Sequence, residues 1–151
     1  MQQARIRPLA ICVFRKGERI LVAEGYDRVK GEVFHRPLGG AIKFGEYAQE
    51  ALAREIQEEL GKEISDLRYL GTLENLFTYE GQQGHEIVLV YDGAFADQSI
   101  YEQESITGRE DDDTSFTAVW KALADFQEGG TPLYPDGLLE LLTQTPRARA
   151  R

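Results

Sequence analysis

The sequence predicts an α+β domain built on a mixed β-sheet with two helices, and three features carry that reading. Runs rich in β-branched and aromatic residues recur along most of the chain. One segment of helical periodicity interrupts them near the middle, and a leucine-rich segment follows the last of them. The length of 151 residues, 42% hydrophobic and 28% charged, suits a single domain with its own core. We assign residues 1–145 to that domain. Residues 146–151 are expected to form a disordered tail, because this end is arginine-rich and has no apolar residue larger than alanine.

The elements follow in order. Arg7–Arg15 and Arg19–Glu24 are strand-like runs separated by Lys16-Gly17-Glu18, which predicts a hairpin. Glu32–Arg36 alternates and predicts a short strand. Pro37-Leu38-Gly39-Gly40 breaks the pattern and predicts a loop, followed by a short extended piece, Ala41–Phe44. A helix is expected from about Tyr47 to Leu60, with Gly61 as its left-handed cap. Leu67–Tyr79 and Glu86–Phe95 flank Glu80-Gly81-Gln82-Gln83-Gly84, which predicts a second hairpin. The acidic, aperiodic stretch Asp97–Asp113 reads as an exposed loop, and Ser115–Leu123 as a further strand. Asp136 is placed to cap a last helix, Gly137–Thr143, whose leucines 138, 139, 141 and 142 would dock on the sheet.

Charge narrows the partners. A formal net charge of -9 with no long basic stripe argues against binding a nucleic acid polymer, since phosphate neutralisation supplies most of that affinity. A small anionic substrate would need local positive charge or a metal ion. The single cysteine, Cys12, excludes an intrachain disulfide and lies in an apolar run, Leu9–Phe14, where a buried strand thiol is expected. That run is too short to span a membrane, so neither a membrane partner nor any location but the cytoplasm is expected.

The stretch GAIKFGEYAQEALAREIQEELGK, Gly40–Lys62, concentrates glutamates at positions 46, 50, 55, 58 and 59. On a helical wheel Leu52, Ala53, Ile56 and Leu60 share one arc of roughly 100°, and Glu55, Glu58 and Glu59 share the neighbouring arc. Glu50 and Gln57 lie on the far side and need only be solvated. Like charges at these spacings repel by a few tenths of a kcal/mol per pair, and near a helix C-terminus they oppose the macrodipole. A hard divalent cation such as Mg2+ would remove both penalties. Arg54 is one turn before Glu58 and can aim that side chain.

Gly40, Glu46, Arg54, Glu55, Glu58, Glu59 and Gly61 together match G-x5-E-x7-R-E-U-x-E-E-x-G, with Ile56 at the apolar position U. At background frequencies near 7% per residue type, seven chance matches come to roughly 10⁻⁸ per window. This pattern resembles the signature of the Nudix hydrolase family (MutT-like). The resemblance implies an α/β/α sandwich with the mixed sheet between helices, and a divalent-metal-dependent hydrolase that cleaves a pyrophosphate bond in a nucleoside diphosphate derivative. Nucleoside triphosphates, dinucleoside polyphosphates, ADP-ribose and nucleotide sugars all carry that group. A Nudix-like nucleotide-binding module without catalysis is the alternative.

Carried over by position, the resemblance makes Glu55, Glu58 and Glu59 ligands of Mg2+ or Mn2+, together with the backbone carbonyl of Gly39. Glu55 and Glu58 are candidates to activate water, Arg54 would orient a glutamate, and Glu46 would tie the loop to the helix. Gly40 would let the backbone approach the substrate. Leu38, where proline is frequent, and Lys62, where the signature ends apolar, depart from the pattern at positions that carry no ligand. A homodimer is a frequent assembly in the family.

Outside the signature, the resemblance implies a further acid from a distant loop. Asp97–Asp113 offers several, with Glu104 favoured by loop position. Arg36 is a candidate for a substrate phosphate, whereas His35 reads as a surface strand end and His85 is a poor Mg2+ ligand. Phe44, Phe77, Tyr79 and Trp120 are aromatics that could stack on a base, although strand aromatics are more often core.

Overall fold

The computed structural model describes residues 4–127 and 129–144. The tail expected at 146–151 lies outside the described residues. The element order is β1 (Arg7–Lys16), β2 (Arg19–Asp27), β3 (Glu32–Arg36), β4 (Leu38–Ala41), α1 (Ala48–Leu60), β5 (Ile64–Tyr79), β6 (Gln82–Phe95), β7 (Ser105–Arg109), β8 (Ser115–Ala122) and α2 (Leu138–Gln144). Short 3-10 turns cover Gln98–Glu102 and Leu123–Phe126.

The eight strands form one mixed sheet in the order β5-β6-β1-β2-β8-β7, with β3 paired to β2 and β4 to β1. β1 is central. It runs parallel to β6 from Arg7↔Glu86 to Phe14↔Gly93, while its other edge meets β4 first and β2 at its end. Its side chains alternate between two cores: Ala10, Cys12 and Phe14 pack with Leu52 and Ile56 of α1, whereas Leu9, Ile11 and Val13 pack with Leu138 and Leu142 of α2. Burial on both faces explains why this strand reads as an unbroken apolar run. Cys12 is the buried strand thiol expected. The expected α+β fold, a mixed sheet between helices, is thus observed.

Both predicted hairpins form. The β5–β6 turn puts Glu80 and Gly81 at φ 50° and 81°, the positive pair that a tight two-residue turn requires. Gly61 closes α1 at φ 66°, donating its N–H to the Gln57 carbonyl at 2.9 Å. The leucines of α2 dock as expected, and Asp136 gives its backbone N–H to Asn75 Oδ1 at 3.3 Å.

The structure corrects four local expectations. Leu38–Ala41 is a strand, not a loop, because Gly39 and Gly40 pair with Ile11 and Ala10. The approach is so close that a β-carbon on Gly39, at φ 154°, would overlap the Ala10 carbonyl. The stretch Asp97–Asp113 holds strand β7, whose Ile106 and Gly108 face inward while its polar alternates face solvent. On α1, Ala51 rather than Ala53 joins the buried face, since the buried arc is rotated about the helix axis towards Glu55 and runs through Ala51, Glu55, Leu52 and Ile56. Glu50 is not merely solvated: its carboxylate accepts the Tyr47 N–H at 2.8 Å and satisfies a free donor at the helix start.

Candidate metal centre and adjoining cleft

α1 packs on β4, β1 and β7, and this packing assembles the site. Gly40 lies beneath Glu55, whose carboxylate occupies the place where a β-carbon would go. Glu55 is consequently 6% exposed, unlike Glu58, which faces solvent. Beyond β7 the chain turns through Glu110 and Asp111, and this turn approaches the helix. Carboxylate oxygens of Glu55, Glu58 and Asp111 all lie within 4.8 Å of one another. Glu59 joins the cluster by a hydrogen bond with Glu110.

The clustering is visible in the protonation equilibria. The Glu59 carboxyl is pushed up to about 8, chiefly by burial and then by the charges of Glu110, Glu55 and Asp111. Burial also raises Glu55, against the pull of Arg54. A set of carboxylate oxygens that repel one another and converge beside two glycines fits a hard divalent cation. Glu55, Glu58, Glu59 and Asp111 could supply its ligands.

Arg54 locks the cluster to the loop before it. Its Nε and Nη2 donate to Glu46 at 2.7 and 3.0 Å, Nη2 also to the Ala41 carbonyl at 2.9 Å, and Nη1 to Glu55 and Glu58 at 2.9 and 3.3 Å. All five N–H donors are therefore used. Glu46 also accepts the Lys43 N–H at 2.9 Å, and the Arg54 hydrogen bonds lead in holding its carboxyl down at about 2. Arg54 itself is raised, mainly by Glu46.

The acids that the structure brings to α1 from the distant loop are Glu110 and Asp111. Glu104 is exposed at the opposite end of β7, roughly 20 Å along the strand at ~3.3 Å per residue. The unrecognised strand hid this: without β7, any acid of the stretch could be placed near the helix. Arg36 is half-buried and lines a cleft of about 770 Å³ that also includes Glu110. His35 points to the other face and is not a surface residue. It is 2% exposed, lies 3.5 Å from Glu24 and against Phe126, and burial followed by Lys121 lowers its pKa.

Of the aromatics singled out, Phe77 and Tyr79 line the cleft, whereas Phe44 is fully exposed. Trp120 belongs to the core, stacked on Tyr101 and donating Nε1–H to the Gln103 carbonyl at 3.0 Å. Phe34, Phe116 and Tyr134, not recognised from the sequence, complete the aromatic wall. For the two phenylalanines the signal was a glycine on the paired strand, Gly25 for Phe34 and Gly108 for Phe116, which is readable only once strand register is known.

The NUDIX domain family model matches residues 5–139, and the chain belongs to the Nudix hydrolase family. It is 27% identical over 103 residues to the NAD-capped RNA hydrolase NudC of Pseudomonas aeruginosa (strain LESB58), covering 68% of this chain and 34% of that protein. With the NAD-capped RNA hydrolase NudC of Pasteurella multocida (strain Pm70) it shares 39% over 67 residues, covering 44% and 25%. The chain thus spans about a third or less of the length of these relatives. Its fold is similar to that of a MutT NUDIX hydrolase from Burkholderia pseudomallei, with a TM-score of 0.64, 22% identity, and 93% and 99% of the two chains covered. The E. coli ORF135 protein gives a TM-score of 0.56 at 19% identity, covering 93% and 90%. Among the described residues no helix is long and apolar enough to cross a membrane.

Proposed function

We propose that the chain is a divalent-metal-dependent hydrolase that cleaves a pyrophosphate bond in a nucleoside diphosphate derivative. The observation that carries this is the convergence of Glu55, Glu58 and Asp111 oxygens within 4.8 Å of one another on a family-matching scaffold. Glu55, Glu58, Glu59 and the Gly39 carbonyl would hold Mg2+ or Mn2+, with Asp111, in place of Glu104, as the acid from the distant loop. When bound, the ion would supply neutralisation of the anionic diphosphate and a lowered pKa for water.

The protein's own groups do the rest. Arg54 Nη1, shared between Glu55 and Glu58, fixes both carboxylates so that a proton from the attacking water meets an oriented acceptor. Glu58 is the best placed of the three glutamates for this, being the most exposed and the one Arg54 reaches one turn on. Arg36 faces the cleft where a phosphate would lie, whereas Gly40, expected to admit the substrate, makes room for the Glu55 carboxylate instead. A small nucleotide is the expected partner, in a cytoplasmic setting and with a homodimer as the expected assembly.

The test is turnover of Glu58→Gln and Glu59→Gln on a panel of nucleoside triphosphates, dinucleoside polyphosphates, ADP-ribose and nucleotide sugars with Mg2+. We expect each variant to lose at least about two orders of magnitude while keeping its fold by circular dichroism. Undiminished activity in both variants would reject the assignment.

A further inference from the structure

The cleft beside the acidic cluster has walls that contrast with its floor. Phe34, Phe77 and Phe116 each lie over the glycine paired with them on the neighbouring strand, where a β-carbon would overlap the ring. Tyr79 and Tyr134 stand 5.9 and 5.4 Å from the Phe34 ring, and Glu32 accepts a hydrogen bond from Tyr134 Oη at 2.8 Å. Such walls suit a planar ring.

The floor is polar and buried. Asn75 and Glu86 face each other across β5 and β6, at 5% and 3% exposure. Asn75 Nδ2 donates to Glu86 Oε1 at 3.3 Å, and Asn75 Oδ1 is occupied by the Asp136 N–H. The second oxygen of Glu86 is 4.0 Å from Nη1 of Arg7, a half-exposed side chain. An ionised carboxylate accepts at about four lone-pair positions and donates at none. One hydrogen bond and one long ion pair leave Glu86 with acceptor capacity in a place where water is scarce, which is costly unless a ligand supplies donors.

We propose that this cleft holds the base of the substrate, and that Glu86, braced by Asn75, selects a base that turns adjacent N–H groups inward, as the Watson–Crick edge of guanine does. The inference rests on the proposed nucleotide hydrolysis for the kind of ligand and adds which base it carries. Guanine offers its ring N1–H and its exocyclic amine side by side, so both carboxylate oxygens of Glu86 can accept. Adenine turns a ring nitrogen acceptor towards the same carboxylate, and the two lone pairs repel. Discrimination is strong in such a site because the wrong edge leaves a buried polar group unpaired. The aromatic walls stack on either base and supply affinity without choice.

Calorimetry in EDTA with GMP, IMP and AMP tests the cleft without turnover. GMP should bind at least about tenfold more tightly than AMP, with IMP, which lacks the exocyclic amine, between them. Glu86→Gln should bring the three within about threefold of one another, and Phe34→Leu should weaken all three alike. If Glu86→Gln does not fold, Asn75→Ala should narrow the same preference. AMP binding as tight as GMP, no binding of any of the three, or a preference unchanged in Glu86→Gln would overturn the proposal. Hydrolysis of nucleotides with no base preference would remove the base assignment and leave the reaction. A GMP preference without hydrolysis of any compound would do the reverse.

Discussion

Glu46 and Glu59 flank the same helix, yet their surroundings push their carboxyl groups in opposite directions. Glu46 is clasped by the Arg54 guanidinium and the Lys43 N–H, and is held down at about 2. Glu59 is half-buried beside Glu110, Glu55 and Asp111 and is pushed up to about 8. The first arrangement is complete without any further ion. The second has too much negative charge for what surrounds it, and Arg54, with every donor occupied, has none left to offer. Folding explains the clasp. A cation or a shared proton would relieve the cluster, and this asymmetry is what the proposed function rests on within one short helix.

The comparison breaks most completely at Arg54, which serves both sides. Arg54→Met should release Glu46 from the helix, remove the hydrogen bond that Glu55 accepts from Nη1, and destabilise the fold by about 3 kcal/mol in chemical denaturation. Turnover should fall by at least about a hundredfold, because the oriented carboxylates lose their fixed geometry. Arg54→Lys keeps the charge but not the fork, so it should recover part of the stability and little of the activity. A lysine variant with full activity would show that charge alone, not geometry, couples the clasp to the cluster.

A smaller effect separates the two ends of β7. Asp111→Asn should raise the magnesium dissociation constant by about tenfold, since one of the converging carboxylates is removed. Glu104→Gln should change it by less than about twofold, because that residue is a strand length away. Calorimetric titration with Mg2+ reads both. Equal effects would mean that the Glu110–Asp111 turn is not where the distant acid acts.

This pair of residues also shows what the sequence could and could not say. The helix, its cap at Gly61 and the contact of Arg54 with Glu58 were legible because they depend on spacings of a few residues. A buried Glu55 was legible as an edge position, but Gly40 beneath it needed the β1–β4 register, which two glycines in a row disguised as a loop. Choosing among the acids of Asp97–Asp113 required knowing that Ser105–Arg109 is a strand. SITGR has a single large apolar residue, Ile106, and strand formation there depends on the pairing with β8 rather than on local pattern. The aromatic cleft failed for the same reason: Phe34, Phe77 and Phe116 come together only through contacts between strands distant in the chain.

The mildest probe of the asymmetry is the pH dependence of stability in the ion-free protein. Glu59 has a folded value, about 8, above its ordinary 4.5, so between these values the folded state holds more protons than the unfolded one. Stability must then fall as pH rises through that window and level off above it. Glu55, also raised, adds to the same fall. Glu46 has the opposite sign: at about 2 its folded value lies below 4.5, so its contribution is present above 4.5 and is lost as pH drops towards 2. In EDTA these groups should place the highest Tm at about pH 4.5, with a decline of a few degrees, roughly 2–6 °C, between about pH 5 and about pH 8. Glu59→Gln should flatten most of that decline, and saturating Mg2+ should abolish it, because an ion that binds the deprotonated cluster stabilises the folded state increasingly as protons leave. A decline that survives both changes would place its origin outside the cluster, and the difference between Glu46 and Glu59 would lose its functional meaning.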